Sequence, residues 1–166
     1  MITQAQLKEY LDYNSETGVF TWKKKSSNKS NKIKIGNIAG MEAPDGYWKI
    51  TFLYRAYPAH RLAWIYMNGD IPNGFDIDHI NRDRKDNRIT NLRLATRSQN
   101  QHNRTKSKNN TSGYKGVTWC KKTNAWMARI GINYKLIHLG RFISAEEAYD
   151  AYKEAAKKYH KQYSSI

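Results

Sequence analysis

The stretch Phe75-Asp76-Ile77-Asp78-His79-Ile80-Asn81, continued by Asn87-Arg88-Ile89-Thr90-Asn91-Leu92-Arg93 and closed by Thr96-Arg97-Ser98-Gln99-Asn100, decides how this chain is read. Alternating apolar residues predict a short strand over 75–80, after the turn Pro72-Asn73-Gly74. Residues 81–87 are polar and predict a hairpin loop; 89–94 predict a returning strand and 96–103 a helix start. Strand, loop, strand and helix would bring Asp78, His79 and Asn100 together despite their separation in sequence. A carboxylate beside an imidazole can hold a hard metal ion while the imidazole takes a proton from water, and phosphodiester hydrolysis needs that combination. An EF-hand reading of Asp76-x-Asp78 fails because the central Gly and the terminal Glu are missing at the required spacing. A zinc reading lacks the Cys and the paired His that such sites use.

Charge points to the substrate. The 166-residue chain carries 29 Lys and Arg against 14 Asp and Glu, a formal charge of +15. The excess is uneven: no Asp or Glu occurs from Asn87 through Ala145, where twelve Lys or Arg do. A long stretch of one sign attracts a polyanion, and its Trp, Tyr and Ile content lets it fold, which favours a nucleic-acid-binding surface over a disordered tail. Five Trp and twelve Tyr give a small core large buried area per residue. One cysteine, Cys120, excludes an intramolecular disulfide framework and suits a reducing compartment. The N-terminal residues have no apolar leader segment, and no run is long enough to span a bilayer. The expectation is a protein of the cytoplasm of a bacterial or phage-infected cell, without a membrane partner.

The first region, 1–69, reads as a β-rich support. Thr3-x-x-Gln6 predicts a capping box for a short helix bearing Leu7, Tyr10 and Leu11. Val19-Phe20-Thr21-Trp22 is strand-like and precedes a Lys/Ser/Asn-rich loop over 23–32. Residues 46–54 alternate as a strand, and Pro58 opens a helix with Leu62, Ala63, Ile65 and Tyr66 toward a core. Lys23, Lys24 and Lys25 read first as solvated surface. His60 reads as a structural or phosphate-touching residue, and His102 as an outside candidate in the helix expected from residue 96.

Asp78-His79, Asn91-Leu92-Arg93 twelve residues beyond the His and Asn100 nine further on, flanked by Asn87 and Thr96, resemble the HNH nuclease family with its ββα-metal fold, in the Asn-terminated version found in phage and intron homing endonucleases. The resemblance implies His79 as the general base that activates water and Asn91 as the brace that aims it. It implies Asp78 and Asn100 as holders of one divalent ion per active site. Carboxylate and amide oxygens favour Mg²⁺, with Mn²⁺ as the other candidate, and the Asn at the third family position argues against zinc. Arg93 and Arg97 are candidates to approach the scissile phosphate.

A polar linker over 105–111 leads to the third region, 112–166. Strands are predicted over 114–120, 125–132 and 134–139, with turns over 121–124 and 131–133. Ser144-x-x-Glu147 predicts a capping box for a helix with Ala148, Ala151, Tyr152, Ala155 and Tyr159 on one stripe. Gly113-Tyr-Lys-Gly-Val117, Trp126-x-Ala-Arg-Ile130, Leu139-Gly-Arg-Phe142 and Glu146-Glu-Ala-Tyr-Asp-Ala-Tyr152 resemble the plant ethylene-response (APETALA-like) DNA-binding domain, also found in phage homing endonucleases. That resemblance implies a three-stranded sheet laid in the major groove. Trp126 and Phe142 would be core members. Lys115, Thr118, Arg129 and His138 would sit at sheet positions facing DNA, and Lys121, Lys122 and Arg141 would hold phosphates.

The expected fold class is α+β: a ββα-metal nuclease core over 70–104, a β-rich N-terminal support, and a C-terminal three-stranded antiparallel sheet packed on one helix. The expected function is a site-selective, metal-dependent DNA endonuclease of the homing type, acting on double-stranded DNA as a monomer or a DNA-bound homodimer. The competing class is a catalytically inactive DNA-binding regulator derived from such a nuclease, although Asp78, His79, Asn91 and Asn100 are all present. RNA cleavage is disfavoured, because the A-form major groove is too deep and narrow for a reading sheet.

Overall fold

The computed structural model describes residues 2–25, 33–103, 106–107, 109–132 and 134–163, without the side chain of Phe52. The chain falls into two compact units, Met1–Ala95 and Thr96–Ile166. Each is mixed α and β, and the expected α+β class is what the structure has. No helix among the described residues is long and apolar enough to cross a membrane.

The first unit opens with α1 (Gln4–Tyr10), capped as its sequence predicts: the Thr3 side chain accepts from Gln6 N while the Gln6 side chain returns to the Thr3 backbone. β1 (Leu11–Asn14) and β2 (Val19–Trp22) form an antiparallel hairpin whose alternate residues Leu11, Tyr13, Phe20 and Trp22 are buried. The expected loop over 23–32 lies outside the described residues from 26 onward. Lys24 pairs with Glu9 at 2.6 Å on the exposed surface.

β3 (Met41–Glu42), β4 (Trp48–Phe52) and β5 (Arg55–Pro58) make a three-stranded antiparallel sheet. α2 (Ala59–Asn68) follows, with Pro58 as its N-cap, and buries Ala59, His60, Leu62 and Ala63. Ile65 and Tyr66 pack at the edge of the same core, which also takes Leu7, Leu11, Phe20, Ile50, Ile77 and Leu92. Residues from the expected support and nuclease regions therefore share one core. β6 (Phe75–His79) pairs with β7 (Leu92–Thr96). The return segment starts later than predicted, because Ile89–Asn91 form a 3-10 turn first. That turn lets Asn91 point back into the loop that it closes.

The second unit starts at α3 (Arg97–His102), whose N-cap Thr96 forms a capping box with Gln99. β8 (Val117–Cys120), β9 (Ala125–Ile132) and β10 (Lys135–Phe142) form an antiparallel sheet in the order β10-β9-β8. β8 begins three residues later than predicted. Gly116 there has φ +75°, and a Cβ on it would strike the ring of Tyr152 and approach Arg129 O to 2.7 Å. β10 runs three residues further than predicted, carried past Gly140 by a register shift at His138/Gly140.

α4 (Ala145–His160) covers one sheet face, with Ser144 capping through Glu147 N. Its buried line is Ala145, Ala148, Tyr152, Ala155, Ala156 and His160. Tyr159, expected on that stripe, is exposed. From Ala148 the buried line advances in steps of four, so position 160 replaces 159. Trp126 and Phe142 join the α4-side core, as expected for those aromatics.

Candidate active site and nucleic-acid interface

β6 delivers Asp78 and His79 side by side, both buried. The Asp78 carboxylate is gripped by a neighbour on the paired strand: Arg93 Nε and Nη2 reach Oδ2 at 2.9 and 2.8 Å. The expectation placed the Arg93 guanidinium at a phosphate, whereas in the structure it lies on this carboxylate.

His79 is held from several sides. Its Nε2 lies 3.3 Å from Asn87 Oδ1. The Asn87 amide donates from Nδ2 to Lys85 O at 3.1 Å, which fixes the oxygen as the atom facing the ring. An acceptor there calls for a proton on Nε2, so the ring lone pair sits on Nδ1. His60 packs edge-on against the His79 ring with centroids 4.9 Å apart, and Tyr47 completes the wall at 6.1 Å. Arg84 in turn stacks over Tyr47 and donates to Asp45 O at 2.7 Å.

Burial pushes the His79 imidazole below its ordinary value, against the upward pull of the Asn87 hydrogen bond and of Asp78. The ring is therefore neutral at neutral pH, the form that accepts a proton. His60, buried and facing the potential charges of His79 and Arg61, is pushed down to about 3. Among the described residues its Nδ1 has no hydrogen-bond partner.

Asn91 closes the loop between the two strands. Its Oδ1 accepts from Asn81 N at 3.0 Å, and its Nδ2 donates to Asn81 Oδ1 at 2.9 Å and to Asp86 O at 2.8 Å. Its own carbonyl accepts from Ile80 N, one residue past His79, at 2.9 Å. Asp86 adds a second clasp: hydrogen bonding from Arg88 draws its carboxyl down to about 2, and Asn81 Nδ2 donates to it at 2.8 Å.

The structure thus gathers Asp78, His79, Asn91 and Arg93 in the first unit. Asn100 is half-buried on α3, in the second unit, and Arg97 is exposed at the start of that helix. Among the described residues no three His, Cys, Asp or Glu side chains are grouped for a metal. An ion bound through Asp78 would therefore complete its shell with amide, water and phosphate oxygens. Such a set fits Mg²⁺ or Mn²⁺ and does not fit a soft metal.

Residues 57–102 match the family model described as HNH endonuclease. That span takes in His60, Asp78, His79, Asn87, Asn91, Arg93 and Asn100. A relative, Protein 3.8 of Escherichia phage T7, is 39% identical over 77 residues, covering 46% of this chain. The match spans 64% of the length of that phage protein. Among solved structures, the HNH homing endonuclease I-HmuI, studied for DNA binding and cleavage, is similar with a TM-score of 0.43 and 22% identity. That likeness covers 57% of this chain and 51% of the other.

In the second unit the cross-strand register sorts the expected DNA-facing residues. Thr118, Met127 and Arg141 lie in one row, and Arg129 is paired with His138 two positions along. The alternate residues Ala128 and Ile130 are buried in the clusters that α4 closes, so these two rows share the opposite, open face. Thr118, Arg129, His138 and Arg141 are exposed there, and Lys121 and Lys122 are exposed in the β8–β9 turn. Lys115 departs from expectation: it lies in the turn before β8, half-buried, and its Nζ donates to His102 O at 2.6 Å. His102 itself stacks on His160 at 3.7 Å and is pushed down to about 4 by burial, with smaller effects from His160 and Lys115.

Sequence reasoning took Asn87 only as a flank of the motif and passed over Tyr47 and the wall it forms. Asn87 had a signal in Asp86-Asn87-Arg88, a polar run before the apolar turn residue Ile89. Tyr47 had none, because its contact with His79 joins segments that no local spacing connects.

Proposed function

We propose that this chain is a metal-dependent DNA endonuclease of the HNH homing type, which selects its site through the C-terminal unit. The observation that carries the reading is a buried, neutral His79 next to Asp78, with its ring held by Asn87 and walled by His60, inside the span that matches the HNH endonuclease model. In this reading His79 accepts a proton from water at Nδ1 as the water oxygen attacks the phosphorus and the bond from phosphorus to the leaving sugar oxygen breaks, that oxygen taking a proton from solvent. Asn91 keeps the 80–91 loop closed so that the ring stays aimed. Asp78 and Asn100 would hold one divalent ion, Mg²⁺ or Mn²⁺. The ion would supply charge that offsets the negative charge growing on the phosphate. Arg93 would keep the Asp78 carboxylate oriented.

The expected linker at 105–111 lies partly outside the described residues. Residues 112–163 of the C-terminal unit, the three-stranded sheet with α4, would act as an ethylene-response-type reader of double-stranded DNA. Its open face offers Arg129 and His138 to base edges, with Thr118 beside them, and Arg141, Lys121 and Lys122 to phosphates. A tether raises the local concentration of DNA at the nuclease unit without new contacts there. Arg97 would add a phosphate contact. One active site per chain implies nicking by a monomer, with both strands cut by a DNA-bound homodimer or by two sequential visits.

The test is conversion of supercoiled plasmid carrying candidate target DNA, in Mg²⁺, in Mn²⁺ or in EDTA. Divalent-dependent open circle is expected first. Tight, salt-sensitive binding with no cutting under any divalent metal would overturn the nuclease reading in favour of a DNA-binding regulator.

A further inference from the structure

The N-terminal hairpin of β1 and β2 touches the segment that orients His79. Tyr13, buried on β1, donates its hydroxyl proton to the carbonyl of Asn87 at 2.7 Å, across 74 residues of sequence. The turn of the same hairpin lies against the next peptide. Gly18 has φ +74°, and a Cβ built on it would fall 2.5 Å from Arg88 N and 2.6 Å from Asn87 C. Only glycine tolerates both that backbone conformation and that approach.

The hairpin is itself immobilised. Tyr13 packs on Phe20 with ring centroids 4.6 Å apart and on Tyr66 of α2 at 5.6 Å. Leu11, Phe20 and Trp22 are buried in the core of the first unit. Two contacts therefore fix the main chain at 87–88, one a hydrogen bond and one steric. The Asn87 side chain, buried with its residue only 3% exposed, then has its amide orientation set by Lys85 O and its oxygen turned to His79 Nε2.

We propose that Asn87 is a positioning residue for the His79 imidazole, and that Tyr13 and Gly18 hold Asn87 in place, which makes the hairpin of residues 11–22 part of the catalytic apparatus. The proposal rests on the reading of His79 as the general base. Its physical content is that one acceptor, Asn87 Oδ1, selects the ring tautomer that keeps the lone pair on Nδ1. Without it the ring can flip or exchange tautomers, and a misaimed base loses rate steeply, on the order of a hundredfold for a displacement near 1 Å.

The test uses the full chain with ¹⁵N-labelled histidine and long-range ¹H–¹⁵N correlation of the imidazoles at pH 8, His79 being assigned by its loss in His79→Ala. Wild type is expected to show the Nε2–H tautomer. Asn87→Ala should show a mixture of tautomers, whereas Asn87→Asp, which keeps an acceptor oxygen, should restore Nε2–H. Tyr13→Phe, which preserves volume and removes only the hydroxyl, should shift the population toward the mixture. Single-turnover cleavage should fall about 10- to 100-fold in Asn87→Ala and several-fold in Tyr13→Phe, with DNA affinity unchanged. An unaltered tautomer in Asn87→Ala, or in Tyr13→Phe should the alanine variant not fold, overturns the proposal. Wild-type cutting by Asn87→Ala beside an inactive His79→Ala overturns it too and leaves the base assignment standing. Wild-type cutting by His79→Ala would remove the base assignment, and the tautomer measurement would still decide whether Asn87 sets the ring.

Discussion

At the residue scale, Asp78, His79 and Asn91 were singled out through the resemblance of their spacing to the HNH pattern, and the structure shows the contacts each of them makes. Adjacent residues on a strand and a turn residue twelve positions on are legible, because short connections leave few ways to arrange them. The partners that set the chemistry of His79 were not legible. Asn87, His60 and Tyr47 reach the ring from the loop, from α2 and from the 43–47 turn, and packing rather than periodicity decides which residues meet. Burial holds His79 below its ordinary value, so the proton-accepting form persists as the solution is acidified. The cleavage rate should therefore fall only at pH values below the ordinary imidazole value, as pH drops through the lowered one. A pH profile of kcat/KM that breaks above 6.5 would count against a buried neutral base. His60 gives a second pH effect, on stability. Its folded value, about 3, lies below the unfolded value near 6.5, so its contribution is fully present above 6.5 and is lost progressively as pH falls toward 3. Between pH 7 and 5 that amounts to about 2 kcal/mol. Urea melts of wild type should show this loss, and His60→Gln should show a correspondingly flatter dependence.

At the scale of elements, capping and turn chemistry were read well. Thr3 forms the box expected of it, Thr96 forms one where only a helix start was expected, and Ser144 caps α4 through Glu147 N. The errors fall where tertiary contacts override local pattern. β8 starts late because Gly116 is pressed between Tyr152 and the Arg129 carbonyl, and Arg129 N donates to Gly116 O at 2.8 Å. Tyr159 misses the buried stripe because α4 advances its contacts in steps of four, a drift that a helix stripe read from the sequence does not resolve. Gly116→Ala should therefore destabilise the second unit by about 2 kcal/mol, through both positive φ and overpacking against Tyr152. A urea midpoint unchanged from wild type would show that the tight approach at Gly116 is absent in solution. Lys115 teaches the same lesson beside the C-terminal sheet. A residue expected inside the 114–120 strand fell into the turn before it, and its amine went to the His102 carbonyl.

At the scale of the whole molecule, a formal charge of +15 and an acid-free stretch over 87–145 set strong attraction to a polyanion, independent of any site. In the proposed reading the open face of the C-terminal sheet would sort that attraction into two roles with distinct signatures. Lys121→Ala and Lys122→Ala should weaken binding evenly across sequences, each lowering the slope of log affinity against log salt by about 1. Arg129→Ala and His138→Ala should narrow the gap between target and random DNA with less change in that slope. Equal losses on every sequence from all four variants would remove base reading from this face. The account stands or falls on His79 as the group that takes the proton. The most direct measurement is single-turnover cleavage of target DNA in Mg²⁺ by wild type and His79→Ala, at protein concentrations that saturate binding of both. A fall of about 10²–10⁴-fold in rate with unchanged DNA affinity is the predicted result. Cleavage by His79→Ala at the wild-type rate would contradict it.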